Sequence, residues 1–252
     1  MANTNELKLN TYSPRNKKKF AFTNLQWASN GVVARSAQPN YEHRDGNHTL
    51  SPVDVSFLRY QRIATVIGAN KFPLDDDGQK RLNNLGIQYH HRGLKDFRAP
   101  TVDVIKDVAN KIQAARSKGG ATLVYCGFGA GRTGTYVAGW AVLHYYMPLG
   151  ANLEEVCTEA FLKQQFGVET PAQVNAIRAA ANLSVTNTSP YNSGAANSSA
   201  GGFWGQAASS GNVNFAAGSS GASWMPPHLK GSNRNDFAMD GFGMDDFPMD
   251  GF

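Results

Sequence analysis

Apolar and polar positions along this chain repeat with two different periods, and the change from one to the other marks the elements. Phe20 to Trp27, Gly31 to Ala34, Ile63 to Ile67, Ile87 to His91 and Ala121 to Tyr125 read as short strands. Between them the period lengthens. Ser51-Pro52 opens a helix, with serine as N-cap and proline at the first helical position, and it runs to about Arg62. A short helix over Gln79 to Leu85 stops at Gly86. Thr101 opens another, whose apolar positions Val102, Ile105, Val108, Ala109 and Ile112 share one face and which Gly119-Gly120 ends. Thr133 to Tyr146 is apolar enough to be a central helix, and Asn152 to Gln164 and Ala172 to Leu183 follow. Strands alternating with helices predict an α/β fold, a mostly parallel central sheet flanked by helices, over residues 20–184.

The two ends have no such pattern. Residues 1–19 are polar, finish in Arg15-Asn16-Lys17-Lys18-Lys19, and read as a flexible basic arm, either a solvated charge run or a localisation signal. Residues 185–252 are rich in Gly, Ser and Asn and predict a disordered tail. Its end repeats Phe-x-Met-Asp from Phe237, Phe242 and Phe247, which reads either as a motif docking an unknown protein or as drifted low-complexity sequence. Charge divides at the same place. The first 184 residues carry 22 lysines and arginines against 14 acidic residues, the remainder 2 against 5. Two cysteines make no disulfide scaffold and favour a reducing compartment, cytoplasmic or nuclear. No apolar run approaches the roughly 18 residues of a membrane span, and the N-terminus lacks an apolar signal-peptide core.

The chemistry concentrates in Tyr125-Cys126-Gly127-Phe128-Gly129-Ala130-Gly131-Arg132-Thr133-Gly134-Thr135. A buried strand ends at a cysteine, a glycine-rich loop follows, and a helix begins. That arrangement turns backbone N–H groups toward one point and adds the positive end of a helix, a nest for a phosphate dianion. Gly127, Phe128, Gly129, Ala130 and Gly131 are the expected phosphate-binding loop, and Arg132 can hold two phosphate oxygens in a fork. The same field favours a thiolate at Cys126, poised to attack phosphorus. Thr133 sets a hydroxyl beside the sulfur, where it would stabilise sulfur as a leaving group. Residues 129–134 also match the glycine pattern of a dinucleotide fold. That pattern requires an acidic residue closing a second strand, whereas Glu154 and Glu155 lie in a helical pattern, and Arg132 would crowd a pyrophosphate turn.

Cys-x5-Arg-Thr-Gly-Thr over Cys126 to Thr135 resembles the signature of the cysteine-dependent protein tyrosine phosphatases, specifically the compact dual-specificity branch. Arg35-Ser36-Ala37-Gln38-Pro39 is similar to a turn found after the first strands of many such proteins. The resemblance departs at Tyr125, where the family usually carries histidine. It implies a general acid about thirty residues before the cysteine. Asp96, followed by Pro100 between a strand and a helix, fits, and Asp103 is the weaker choice. It also implies that Gln173, in Gly167-Val168-Glu169-Thr170-Pro171-Ala172-Gln173, orients the hydrolytic water. The expectation is a phosphomonoester hydrolase working through a phosphocysteine, with no metal and no cofactor. A shallow pocket would take phosphorylated protein at tyrosine or at serine and threonine. Positive charge keeps polyanions open, an RNA 5′ end or an inositol phosphate, and Tyr125 keeps open a weakly catalytic phosphate-binding adaptor. His90 and His91 lack a full ligand set, and Cys157 reads as a core thiol.

Overall fold

In a computed structural model of the chain, residues 7–12 and 21–185 are described. Six strands form one sheet in the order β1-β2-β3-β6-β4-β5. They are β1 (Leu9–Thr11), β2 (Gln26–Ala28), β3 (Val33–Ala37), β4 (Ile63–Gly68), β5 (Gln88–His91) and β6 (Ala121–Cys126). The sheet is mixed. β3, β6, β4 and β5 run parallel, and β1 and β2 add an antiparallel edge. Of residues 1–19, only 7–12 are described: Leu7 is fully buried, and β1 pairs residue for residue with β2. The basic run 15–19 lies outside the described residues, as do the Phe-x-Met-Asp repeats and everything from 186 onward.

Both faces of the sheet are covered, as a parallel sheet requires. Along β6 successive side chains alternate, so Val124 and Cys126 join the cluster formed by the later helices while Leu123 and Tyr125 face the other way. The first face packs α3 (Val102–Ser117), α4 (Gly131–Ala141), α6 (Glu159–Phe166) and α7 (Pro171–Ala180). Ile105, Val108 and Ile112 of α3 are fully buried there, each contributing about 1.5–3 kcal/mol. α1 (Pro52–Tyr60) and α2 (Asp76–Asn84) pack beside β4 and β5.

Capping explains most boundaries. Ser51 and Asp54 form a reciprocal capping box at α1, with Pro52 in the first turn. Asp75 caps α2, which therefore starts earlier than the apolar spacing suggested. The segment expected as one helix over 152–164 is two, α5 (Leu153–Val156) and α6, because Thr158 caps a fresh start by accepting the Phe161 N–H. α4 passes into a π-helical turn over Val142–Tyr146, which sets the Tyr146 hydroxyl where it accepts the Leu7 N–H at 3.2 Å. Among the described residues, no helix is long and apolar enough to cross a membrane.

Candidate active site

Cys126 ends β6 at the carboxyl edge of the parallel strands, and the loop Gly127–Ala130 curls from it into the N-terminus of α4. Two loop carbonyls are tied outward. Gly127 O accepts the Gln38 N–H at 3.0 Å, and Phe128 O accepts from Asn24 Nδ2 at 3.0 Å. With those carbonyls turned away, the amides are free to face the sulfur, and Gly129 N–H donates to Cys126 Sγ at 3.2 Å. Gly129 has a φ of +91°, and a Cβ there would meet the Ser36 carbonyl carbon at 2.5 Å. Only glycine fits. The Arg-Ser-Ala-Gln-Pro turn thus supplies the wall against which the loop is folded.

Arg132 lies in the first turn of α4 and is 4% exposed. Asp45 holds it in a fork, Nη1 to Oδ2 and Nη2 to Oδ1 at 2.9 Å, and Asp45 also accepts the Lys71 N–H at 3.0 Å. Asp96 reaches Nη2 at 3.1 Å from a side chain 59% exposed, and Leu94 O accepts from Nη1 at 3.2 Å. The guanidinium Nε is buried and has no partner. Burial alone would weaken the basicity of Arg132, but hydrogen bonding from Asp45 and the Cys126 charge outweigh it and raise it. For Asp45, burial works against ionisation, yet the Arg132 and Lys71 donors prevail and hold the carboxyl below its ordinary range.

Sequence reasoning missed Asp45, which stands 87 residues from its partner in a polar loop with no motif of its own. It also missed Glu169. The Glu169 carboxylate accepts the Gly131 N–H, so close that a Cβ at Gly131 would overlap it. It supplies from outside the cap that Ala130 cannot give α4. Burial, and then the neighbouring charge of Asp96, push Glu169 up.

Gln173 is fully buried, its Oε1 accepts both the Glu169 and Thr170 N–H groups, and its Nε2 donates to Arg98 O at 3.3 Å. Both ends of the amide are engaged. The physical reason is local, since Thr170 and Gln173 form a capping box for α7, and the remaining N–H reaches the loop carrying Asp96. Thr133 is fully buried with an unpartnered hydroxyl. Asp103 sits in the first turn of α3, and Cys157 is a core thiol that burial pushes up to about 11. Arg35, brought down to about 10 by burial against the opposing charge of Cys126, donates to Gln26 Oε1 at 2.7 Å and to Phe166 O.

Tyr125 points away from Cys126 into a chain of polar groups. His48 Nδ1 bonds Gly46 O at 2.9 Å, so Nδ1 carries the proton and Nε2 accepts from the Tyr125 hydroxyl at 2.9 Å. Tyr89 closes the chain at 3.2 Å from Tyr125, its oxygen accepting the Leu74 N–H at 2.8 Å. Burial lowers His48, in keeping with this neutral form.

The thiol at the end of a parallel strand, the glycine loop that follows it, the buried Arg132 and the Asp96 carboxylate on that arginine thus come together at one edge of the sheet. Residues 46–145, 100 of the 252, match the family described as Tc-R-P: Polymorphic toxin system, DSP-PTPase phosphatase. The matched stretch contains Asp96, Cys126 and Arg132 but neither Asp45 nor Glu169 and Gln173. Dual specificity protein phosphatase CDC14C of Homo sapiens is 31% identical over 103 residues, 40% of this chain and 22% of that protein. Its counterpart in Symphalangus syndactylus is 30% identical over 103 residues, 40% of this chain and 20% of that protein. The chain thus spans about a fifth of the length of these curated relatives. Among solved structures, kinase associated phosphatase superposes with a TM-score of 0.47 at 16% identity, covering 66% of this chain and 98% of that one. Tk-PTP superposes with a TM-score of 0.45 at 19% identity, covering 60% of this chain and 91% of that one.

Proposed function

We propose that the chain is a cysteine-dependent phosphomonoester hydrolase that acts on phosphorylated protein through a phosphocysteine. The observation that carries this reading is the junction of Cys126 Sγ, receiving the Gly129 N–H, with an Arg132 whose buried Nε has no partner. In the first step the sulfur lone pair attacks phosphorus and the bond to the leaving oxygen breaks. Loop amides and Arg132 hold the phosphoryl oxygens, where charge builds in the transition state. Asp96, protonated from solvent and released from its 3.1 Å ion pair with Arg132, gives that proton to the leaving oxygen. In the second step water attacks phosphorus, the S–P bond breaks, and the proton of the water goes to the Asp96 carboxylate. The Thr133 hydroxyl, buried and unpartnered, stabilises the departing thiolate. Gln173 acts through the backbone of Arg98 as a positioning residue that sets the acid loop. A thiol nucleophile operates in a reducing compartment, which favours cytoplasm or nucleus.

The test is hydrolysis of p-nitrophenyl phosphate in EDTA, from acid to neutral pH, by the full chain and by Cys126→Ser and Asp96→Ala. Turnover that survives the chelator, vanishes without the thiol and falls without the acid is expected. A folded, reduced protein that gives no turnover sinks the proposal.

A further inference from the structure

Asp45 can hold Arg132 in a fork only if the loop that carries it is itself held. Its own sequence does little for that. Gly46 follows, and a Cβ there would meet nothing within 4 Å, so no neighbour packs against that position. The ties come from elsewhere. Besides the Lys71 N–H on the Asp45 carboxylate, Gly46 N–H donates to Gln38 Oε1 at 3.4 Å. A further tie is His48. Its Nδ1 donates to Gly46 O at 2.9 Å, which closes the loop on itself, and its Nε2 accepts the Tyr125 hydroxyl at 2.9 Å. His48 is 7% exposed and Tyr125 fully buried, and the two rings stand edge-on with centroids 5.3 Å apart. Tyr125 directly precedes Cys126 in β6. One imidazole thus joins the loop that holds Arg132 to the strand that delivers the nucleophile.

The connection closes into a ring. Tyr125 meets Tyr89 at 3.2 Å, and the Tyr89 oxygen accepts the Leu74 N–H at 2.8 Å. Leu74 in turn pairs with His48 as an isolated bridge, and His48 O accepts the Asp75 N–H at 3.1 Å. Room for the two hydroxyls exists because residue 68 is glycine, where a Cβ would stand 2.8 Å from each tyrosine oxygen. None of His48, Tyr89 and Tyr125 takes part in the hydrolysis proposed above. Without the Tyr125 hydroxyl, the buried Nε2 of His48 loses its donor, and a buried polar group left so has reason to move.

Resting on the hydrolase reading above, we infer that Tyr125 and His48 are positioning residues. Their hydrogen bond pins the loop 45–48 to β6, so that Asp45 holds Arg132 at a fixed place relative to Cys126. The effect reaches the phosphoryl group through Asp45, and that route separates a pin from mere packing.

The test uses the full chain, with inorganic tungstate as a phosphate-like anion measured by calorimetry and p-nitrophenyl phosphate for kcat/KM. Tyr125→Phe should weaken tungstate about five- to tenfold and lower kcat/KM by a similar factor. In an Asp45→Ala chain the same substitution should change both by less than about twofold, because the route is already cut. Tyr146→Phe removes another buried hydroxyl, the one that accepts the Leu7 N–H, and should leave both values within about twofold. His48→Gln keeps an acceptor for Tyr125 and should hold tungstate within about threefold, whereas His48→Leu should weaken it as Tyr125→Phe does. These two carry the test if Tyr125→Phe does not fold. Three results overturn the pin: Tyr125→Phe within about twofold of wild type, an equal factor in the Asp45→Ala chain, or equal losses in His48→Gln and His48→Leu. Binding and turnover keep the two readings apart. A wild type that binds tungstate without hydrolysing removes the hydrolase reading, and the binding data still decide the pin. Hydrolysis with no coupling between residues 125 and 45 removes the pin alone, and a wild type that binds no tungstate removes it as well.

Discussion

Replacing Asp45 with alanine takes from Arg132 the carboxylate that holds it. The guanidinium is 4% exposed, so water cannot take over the two hydrogen bonds it loses. Hydrogen bonds to a charged partner are worth about 1.5–3 kcal/mol each, and truncating one side of a buried ion pair costs about 3–5 kcal/mol. Asp96 remains at 3.1 Å, but it is 59% exposed and compensates in part. The loss is therefore placed at about 3 kcal/mol, near the lower end. For a domain of this size that corresponds to a melting temperature lower by about 6–12 °C. The freed Arg132 is no longer held in one orientation, and a misplacement of that kind lowers kcat/KM about a hundredfold. Asp45→Asn, which retains one acceptor, should fall between. Thermal melts of the full chain and p-nitrophenyl phosphate kinetics read the two effects. The sign with pH follows from the depressed carboxyl. The stability contributed by Asp45 is present above the ordinary aspartate range and is lost as pH falls through its lower folded value. The alanine variant should lack that part of the acid transition. A variant melting within about 1 °C of wild type, with kcat/KM within about threefold, would falsify the assignment of Asp45 as the residue that orients Arg132.

Gly129→Ala drives a methyl into the Ser36–Ala37 backbone at a positive φ, and should cost about 2–4 kcal/mol together with nearly all turnover; a wild-type melt contradicts the loop geometry. Thr133→Val removes a buried unpartnered hydroxyl, so the first step should survive while the second slows. Rapid mixing should then show a burst of p-nitrophenol of about one equivalent and a phosphocysteine recoverable after acid quench; equal slowing of both steps counts against the role. Glu169 is raised by burial and by Asp96, so its contribution is present below the ordinary glutamate range and is lost as pH rises through the folded value. Glu169→Gln should therefore gain stability relative to wild type on going from about pH 4 to about pH 7.5 in paired melts, and a pH-independent difference rules this out.

How far the site was legible follows from sequence distance. Cys126, the glycines and Arg132 lie within one strand–loop–helix unit, whose backbone geometry is set by neighbours in the chain. Asp96 was named by family likeness, from its place thirty residues before Cys126 in a loop followed by Pro100. Gln173 was placed by family likeness, although Thr170-Pro171 ahead of it is a capping-box signal that describes its actual contacts. The break between α5 and α6 was likewise present in Thr158, a cap inside an apolar pattern.

By itself the sequence determined the elements whose information is local. Periodicity, caps and glycines specify strands and helices, and the same ten residues that turn the chain after β6 carry the proposed phosphate loop. Tertiary structure alone decided the rest. Asp45 and Glu169 reach the cradle from loops 87 residues before Arg132 and 38 residues after Gly131, and Tyr41 joins Phe128 only because β3 lies beside β6. It also decided what Tyr125 does, since the alternation of β6 turns that ring away from the thiol toward His48 and Tyr89. Charges and rings act through space over a few ångströms, and only the folded chain brings together residues that the sequence keeps far apart.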